Sequence, residues 1–396
     1  MRTATETNFL LFCLSGAFLG IYAGLYDPSF NNYIAETFQV SESVRGGLEF
    51  FRELPGFLVV LVAGLLISLS DVRIAMIALS VLALGLLGQG FLSPSLSWAV
   101  LWMMMWSIGA HLFMPLQNSI VVSLSTSHEV GSRLGLWNGI NTAAALAGYL
   151  LVFLGFRFFE LSYSLVFALA ALATVAAGIS ISRMNMPSST APRIAFIFKR
   201  RYRLYYLLNI LFGARKQIFL TFGPWVLIKI FQQPVSTLAL LGLIGTFLGI
   251  FFKPALGIAI DRVGERAIIL IESLLLVLVC LGYGFAPALF PTAIAFLVSS
   301  ACFIADTLLF ACNMARATYL HKIVETPADL TPTLSMGVTL DHAVSMTIPF
   351  FAGILWEQTG FQYVFLSAAI LALFNFVAAT QIPDHSPRSR SAADQV

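Results

Sequence analysis

The sequence predicts an all-α integral membrane fold: twelve transmembrane helices in two six-helix bundles. Three observations predict it. Of the 396 residues, 59% are hydrophobic and only 10% are charged, where a soluble domain carries roughly 25% charged residues. Apolar runs of about 20 residues, the length that crosses a hydrocarbon core about 30 Å thick, recur from end to end. The longest polar link, SRMNMPSSTAPRIAFIFKRRYR at residues 182–203, holds Pro187, Pro192 and six basic residues and divides those runs into six and six.

The first run, Phe9 to Tyr26, follows Arg2 much as a signal peptide would. No small-residue cleavage site comes after it and eleven further runs do, so it reads as an uncleaved helix. At its outer end YDPSFNNY reads as a helix-ending Asp-Pro turn at Asp27. The second run, Leu48 to Leu69, opens on GGLEFFRELPG, where Glu49, Arg52 and Glu53 share one helical face and Arg45 stands one turn earlier. This outer cluster, within reach of water and of Asp27, reads first as an intrahelical ion-pair ladder closing the outer side. Passage of substrate or protons is its second reading.

The third run, Ile74 to Leu92, and the sixth, Ser164 to Ile181, hold no ionisable group. The fourth, Trp98 to Val122, carries His111 and Asn118 seven apart, hence on one face two turns apart. Its Trp102 and Trp106 read as core packing ahead of substrate stacking. The fifth, Leu136 to Leu154, carries Asn141 near its start.

The seventh run, Leu204 to Phe222, holds Arg215 and Lys216 side by side at its middle. Each cation at that depth costs about 2.5 to 3.5 kcal/mol on insertion scales, so something must compensate the pair. Adjacent helical residues point about 100° apart, which lets one face a central cavity while the other meets a neighbouring helix. Two readings stand level: a cationic site for an anionic group of a substrate, or buried ion pairs with Asp306 or Asp341 that fix helix contacts.

The eighth run, Leu238 to Ile260, carries Lys253, which can snorkel to the near surface. The ninth, Ala267 to Phe285, carries Glu272, and the tenth, Thr292 to Leu320, carries Asp306, Asn313 and Arg316. Asp306 and Asn313 repeat the spacing of seven, while Glu272 and Arg316 read as lying near inner helix ends. The eleventh run, Leu334 to Leu355, sets Asp341 beside His342, and the twelfth, Tyr363 to Ile382, has no ionisable group. Cys13, Cys280, Cys302 and Cys312 all fall within runs with no metal-site spacing and read as small packing residues.

Lys and Arg accumulate in cytoplasmic loops. With the N-terminus inside, fourteen basic residues, Arg2, Arg388 and Arg390 among them, fall on the cytoplasmic side, and only Arg45, Arg157 and Lys229 on the other. Both termini are therefore expected in the cytoplasm of a multi-pass cell-membrane protein. The net charge of +3 needs no nucleic acid partner, since this asymmetry accounts for it.

The expected domains are an N-terminal bundle at 1–183, a cytoplasmic linker at 184–203, a C-terminal bundle at 204–383 and a cytoplasmic tail at 384–396. An internal repeat supports the division. At one offset of 200, Asn141-Thr142 falls opposite Asp341-His342 and Tyr163 opposite Tyr363. Paired halves in register are characteristic of transporters that bind solute near the membrane midplane.

GIAIDRVGER, residues 257–266, resembles the GxxxDRxGxR motif of the major facilitator superfamily, and LISLSDVRIA, residues 66–75, is a worn first-half equivalent that keeps Asp71 and Arg73. That resemblance implies a gate at the cytoplasmic face made by Gly257, Asp261, Arg262, Gly264 and Arg266 with Asp71 and Arg73. It also implies that the third, sixth and twelfth helices stand outermost and that the first, fourth, seventh and tenth line the cavity. On the residues themselves, Gly257 permits close packing, Gly264 a tight turn, and Asp261 a helix cap or a pair with Arg.

The function expected is secondary active transport of a small organic solute, polar or anionic, by proton-coupled alternating access. Arg215, Lys216, His111, Asn118, Asn313 and Asn141 are the candidate substrate residues, and Asp306, Asp341 and His342 the candidate proton sites. Desolvated carboxyls and imidazoles exchange protons near neutral pH. No phosphate loop, HExxH or GxSxG occurs, so neither ATP-driven transport by this chain nor an enzyme is expected. The fifth run lacks the GPxxGG pattern of antiporters, which favours symport over a multidrug or metabolite exporter. A sensor is disfavoured because only a short tail follows Ile382. No cofactor or metal is expected, and the partners are the solute, protons and the lipid bilayer, with the chain acting as a monomer.

Overall fold

In a computed structural model, residues 4–65, 69–126, 129–186 and 198–383 are described. Arg2, residues 66–68 of LISLSDVRIA, residues 187–197 of the polar link, and the tail 384–396 with Arg388 and Arg390 lie outside them. The described chain is helical almost throughout and holds no strand.

The helices are α1 (Ala4–Phe38), α2 (Glu42–Leu65), α3 (Asp71–Phe91), α4 (Leu96–Ser123), α5 (Val130–Phe158), α6 (Tyr163–Ser182) and α7 (Arg203–Lys229). There follow α8 (Val235–Leu289), α9 (Thr292–Leu309), α10 (Asn313–Ile323), α11 (Pro327–Thr359) and α12 (Phe361–Thr380). Each of the twelve expected runs falls on a helix among the described residues. The eighth and ninth join in α8, which is interrupted at Gly264 (φ 85°, ψ 156°). The tenth is α9 and α10 in series across a 3₁₀ turn at Phe310–Cys312. Nine described helices are apolar and long enough to cross a membrane by composition alone. Carriers of the charged stripe and the midspan cations, α2 and α7 are absent from that set.

Asp27 does not end a helix. The first helix continues through Asp27 and Pro28 to Phe38. Proline is tolerated in membrane helices where Ser or Thr side chains and neighbouring helices satisfy the freed backbone. Ser29 Oγ donates to the Leu25 carbonyl at 2.7 Å, next to the Gly24 carbonyl that Pro28 leaves without its helical donor.

Clustering of the backbone divides the chain into two units. The first holds Met1–Gln39, Phe51–Arg193 and Pro234–Leu243; the second holds Val40–Phe50, Ile194–Gln233 and Ile244–Val396. In the first unit, α1 packs backbone to backbone on α5. A Cβ at Gly20 would overlap the Asn141 carbonyl and lie 2.9 Å from Ala144 Cβ, and one at Gly24 would lie 2.9 Å from Gly148 Cα. Small residues at such spacing are how membrane helices approach closely. Ser70 caps α3 and Ser162 caps α6 through their side chains. Asn8 ties the start of α1 to the chain just past α6, donating to the Asn185 carbonyl at 2.8 Å and accepting from its N–H at 3.1 Å. Ahead of α5, Thr126 Oγ1 donates to Glu129 at 2.9 Å, and this contact holds the Glu129 carboxyl below the ordinary carboxylate range.

The second unit is built around α7, which is buried along nearly its whole length from Tyr205 to Ile228 and packs on α11 and α12. Its entry is pinned by Lys199, whose Nζ donates to Asp329 Oδ2 at 2.6 Å. That bond raises the Lys199 ammonium above its ordinary value. Ser43 of α2 donates through N and Oγ to Glu357 of α11, both at 2.9 Å. All four cysteines are buried free thiols.

Candidate functional site

The cations of α7 are compensated from within the second unit, and by two different helices. Arg215 Nη1 donates to Asp306 Oδ1 of α9 at 2.5 Å, and Lys216 Nζ donates to Asp341 Oδ2 of α11 at 2.5 Å. The turn of about 100° between neighbouring helical residues directs them to separate partners. Gly213 makes the second pair possible, because a Cβ there would overlap the Asp341 carboxylate and lie 3.0 Å from Asp341 Cα. The cations are the drier members: side chains of Arg215 and Lys216 are 3% and 10% exposed, those of Asp306 and Asp341 are 15% and 17%. The carboxylates are therefore the more accessible members of the two pairs. Asp341 Oδ1 has no hydrogen-bond partner among the described residues, and the neighbouring His342 is buried.

Glu272 and Arg316, read from the sequence as lying near inner helix ends, are both buried, at 1% and 2% exposure, and both join this cluster. Arg316 Nη2 sits 3.0 Å from Glu272 Oε2, and Arg215 Nη2 sits 3.8 Å from Glu272 Oε1. Arg316 Nη2 also donates to Asn375 Oδ1 at 3.4 Å, and Asn375 Nδ2 donates to Ser273 Oγ at 2.8 Å. The Phe212 ring lies against both guanidiniums, with centroid distances of 5.4 Å to Arg215 and 4.6 Å to Arg316. Sequence reading passed over Asn375, and the signal was there: a single carboxamide in the otherwise apolar stretch LALFNFVAA of the twelfth span.

Asp306 and Asn313 are not joined by one regular helix. The intervening Phe310–Cys312 is 3₁₀, with about 120° per residue in place of about 100°. Three such residues change the offset between Asp306 and Asn313 from about −20° to about +40°, which leaves both on one broad side of the helix. Asn313 is exposed.

The charged stripe of α2 is two arrangements. In the second unit Arg45 Nη1 donates to Glu49 Oε1 at 2.6 Å, one turn of an intrahelical ladder. Both side chains are fully buried, against the expectation that water reaches them. Gln217 of α7 closes the ladder, donating from Nε2 to Glu49 Oε2 at 2.6 Å, and Arg45 lies 5.9 Å from the Trp225 ring centroid. In the first unit Arg52 Nη2 stands 3.4 Å from Glu53 Oε1, and Asp27 is exposed on α1.

Also in the first unit, Ser107 Oγ donates to the Arg52 carbonyl. His111 Nδ1 lies 2.9 Å from Ser107 Oγ and 3.0 Å from the Ser107 carbonyl. With the hydroxyl proton committed to Arg52, the Nδ1–H tautomer fits these contacts. Trp106 Nε1 donates to Tyr22 Oη at 2.7 Å, and its ring stacks on Tyr26 at 4.5 Å. Trp102 Nε1 donates to the Leu92 carbonyl at 2.8 Å, so both tryptophans are engaged in packing. Asn118 is exposed, and Asn141 Nδ2 donates to the Gly16 carbonyl at 2.9 Å.

Of the motif residues, Gly264 adopts a conformation that suits glycine, whereas Gly257 has open space where a Cβ would stand and so does no close-packing work. Asp261 and Arg262 are exposed, Arg266 is half-buried, and Asp261 makes no hydrogen bond or ion pair among the described residues. Its neighbour Glu265 is the buried partner here, 2.7 Å from Lys322 Nζ. Asp71 is buried in the first turn of α3, where the helix dipole favours an anion, and accepts from Ser119 Oγ at 2.9 Å; Arg73 is exposed.

Residues 12–334 match the family model described as Major Facilitator Superfamily. A mutant form of the nucleoside transporter NupG has the same fold, with a TM-score of 0.79, 15% identity and coverage of 95% of this chain and 99% of that one. The D-xylose-proton symporter superposes with a TM-score of 0.70 at 14% identity, covering 96% and 99%. A bacterial homologue of the human lysosomal transporter Spinster does so at 0.68 and 16%, covering 97% and 98%. No curated protein matches the chain by sequence.

Proposed function

The chain belongs to the major facilitator superfamily of secondary transporters, and from that premise we propose that it moves a small polar or anionic organic solute by alternating access coupled to protons, with Asp306 and Asp341 as the proton-accepting groups. One observation carries the reading: two buried cations on α7 are each held at 2.5 Å by a carboxylate on another helix. Each carboxylate is the more exposed member of its pair. A proton on Asp306 or Asp341 cancels the attraction that joins its helix to α7, so proton occupancy is converted into helix contacts made or lost.

The same pairs bear on the solute. Arg215 and Lys216 are neutralised internally, so a polar solute needs no charge of its own. An anionic one competes with Asp306 for the bidentate fork of Arg215. His111, Asn118, Asn141 and Asn313 offer hydrogen bonds to the solute in this reading, and His342 shares the proton traffic of Asp341. The motif residues Asp71, Arg73, Gly257, Asp261, Arg262, Gly264 and Arg266 serve the cytoplasmic gate. That two of the similar folds are a nucleoside transporter and a sugar-proton symporter agrees with a polar solute without naming it.

The test is transport in liposomes. A metabolite library screened by thermal shift identifies the solute, since a selective ligand raises the melting point by mass action. Its addition to proteoliposomes is expected to move protons, and Asp306→Asn or Asp341→Asn to abolish that movement while solute exchange continues. Arg215→Gln is expected to abolish uptake of an anionic solute. Solute uptake without proton movement in the wild type sinks the coupling, and unchanged apparent affinity in Arg215→Gln sinks the binding role.

A further inference from the structure

Glu272 has no part in the mechanism above, yet it is a fully buried carboxylate with a cation on each side. Arg316 holds it at 3.0 Å and 3.5 Å through two nitrogens. Its Oε1 also lies 3.8 Å from Arg215 Nη2, a buried nitrogen with no hydrogen-bond partner among the described residues. Arg215 is therefore committed to Asp306 through Nη1 while Nη2 points toward a second carboxylate. The gap exceeds a charge-assisted hydrogen bond by only about 1 Å. Asp306 and Glu272 are the carboxylates within 4.0 Å of Arg215 among the described residues.

We propose that Glu272 is the standby acceptor for Arg215: when Asp306 is neutralised, the guanidinium passes from Asp306 to Glu272, and Arg316 positions Glu272 to receive it. The inference rests on the reading of Asp306 as a proton site and adds to it the group that makes protonation tolerable. Two guanidiniums and two carboxylates balance in the cluster. A proton on Asp306 leaves two guanidiniums and one carboxylate, and a buried cation without a partner is strongly unfavourable. Glu272 already contacts one guanidinium and stands close to the other, so it can bridge both. Asn375, anchored on Ser273, holds Arg316 through Nη2, and Glu272 Oε1 stands between Arg316 Nη1 at 3.5 Å and Arg215 Nη2 at 3.8 Å.

The other titratable groups acting on the cluster are Tyr205 of α7, Cys280 and Tyr283 of α8, Cys302 of α9, Cys312 of the 3₁₀ turn, and Asp341 of α11. Only Asp341 among them is a carboxylate, and Lys216 holds it. Glu272 is a positioning residue in this scheme and touches neither proton nor solute.

The test needs no solute, because the proton is the probe. Infrared difference spectra of the full-length protein in lipid nanodiscs, titrated with pH, report carboxyl protonation, and the band removed by Asp306→Asn belongs to Asp306. Glu272→Gln is expected to move the midpoint of that band at least about one pH unit toward acid, a tenfold loss of proton affinity. Glu272→Asp retains a carboxylate and is expected to recover most of the shift. The double variant Glu272→Gln with Arg316→Gln restores the charge balance and leaves no buried charge without a counter-charge, which protects folding. It is expected to keep the acid shift, because the acceptor is still missing. An unmoved midpoint in Glu272→Gln overturns the proposal, as does a midpoint restored by the double variant, which assigns the effect to net charge alone. Absence of any band sensitive to Asp306→Asn overturns the reading of Asp306 itself, whereas a sensitive band indifferent to Glu272 overturns only the present inference.

Discussion

At the scale of single residues, the Lys216 and Asp341 pair separates what a buried ion pair does for stability from what it does for function. Removing one partner of such a pair costs about 3 to 5 kcal/mol, because the other charge stays buried alone, while replacing both by apolar groups is often nearly neutral. Lys216→Met is therefore expected to lower the melting temperature of the purified protein markedly. Lys216→Met combined with Asp341→Leu is expected to recover most of the loss and still fail to couple solute to protons. Thermal unfolding read beside proton uptake checks both halves, and a double variant as unstable as the single one refutes the pairing energetics. Arg215, Lys216, Asp306 and Asp341 were legible in the sequence because each is a charge in an apolar run. Their pairing was one of two level readings, since a sequence shows depth in a span but not which helix stands opposite. Glu272 and Arg316 were equally visible as charges, but position along a span does not show that charges on different helices meet.

At the scale of elements, the sequence was most informative where a residue type fixes the backbone. Gly264 reads as a turn residue, and its φ of 85° with ψ of 156° lies in a region essentially closed to residues with a Cβ. Gly264→Ala is expected to destabilise the second unit by about 1 to 3 kcal/mol through backbone strain alone. Gly257→Ala, in open space on the same helix, is expected to be neutral or slightly stabilising through helix propensity. Melting temperatures of the two variants check the contrast, and equal effects refute it. Two elements were illegible for definite reasons. Pro28 was read as a stop because a rule for soluble helices was applied, whereas proline is tolerated inside membrane helices. The 3₁₀ turn at Phe310–Cys312 sits in LLFACNM, with neither Gly nor Pro to mark it.

At the scale of the whole molecule, span count and family membership followed from hydropathy and one short motif, because a bilayer admits few architectures and fixes the length of each element. Orientation rests on a different physical term, the bias of Lys and Arg toward the cytoplasm, and it makes an independent prediction. The turn after α5 holds Phe159, 78% exposed, and the link before α7 holds the exposed Arg200. With both termini inside, Phe159 faces outward and Arg200 the cytoplasm. The four native cysteines are buried, so background labelling is low. In intact cells a membrane-impermeant maleimide is expected to label Phe159→Cys and to leave Arg200→Cys unlabelled until the membrane is opened. The reverse pattern would invert the topology and move Asp71, Arg73, Asp261 and Arg262 to the outer face. The gate assignment would then fail even though every helix stayed where it is, because a cytoplasmic gate is a claim about sidedness that no contact within the protein can supply.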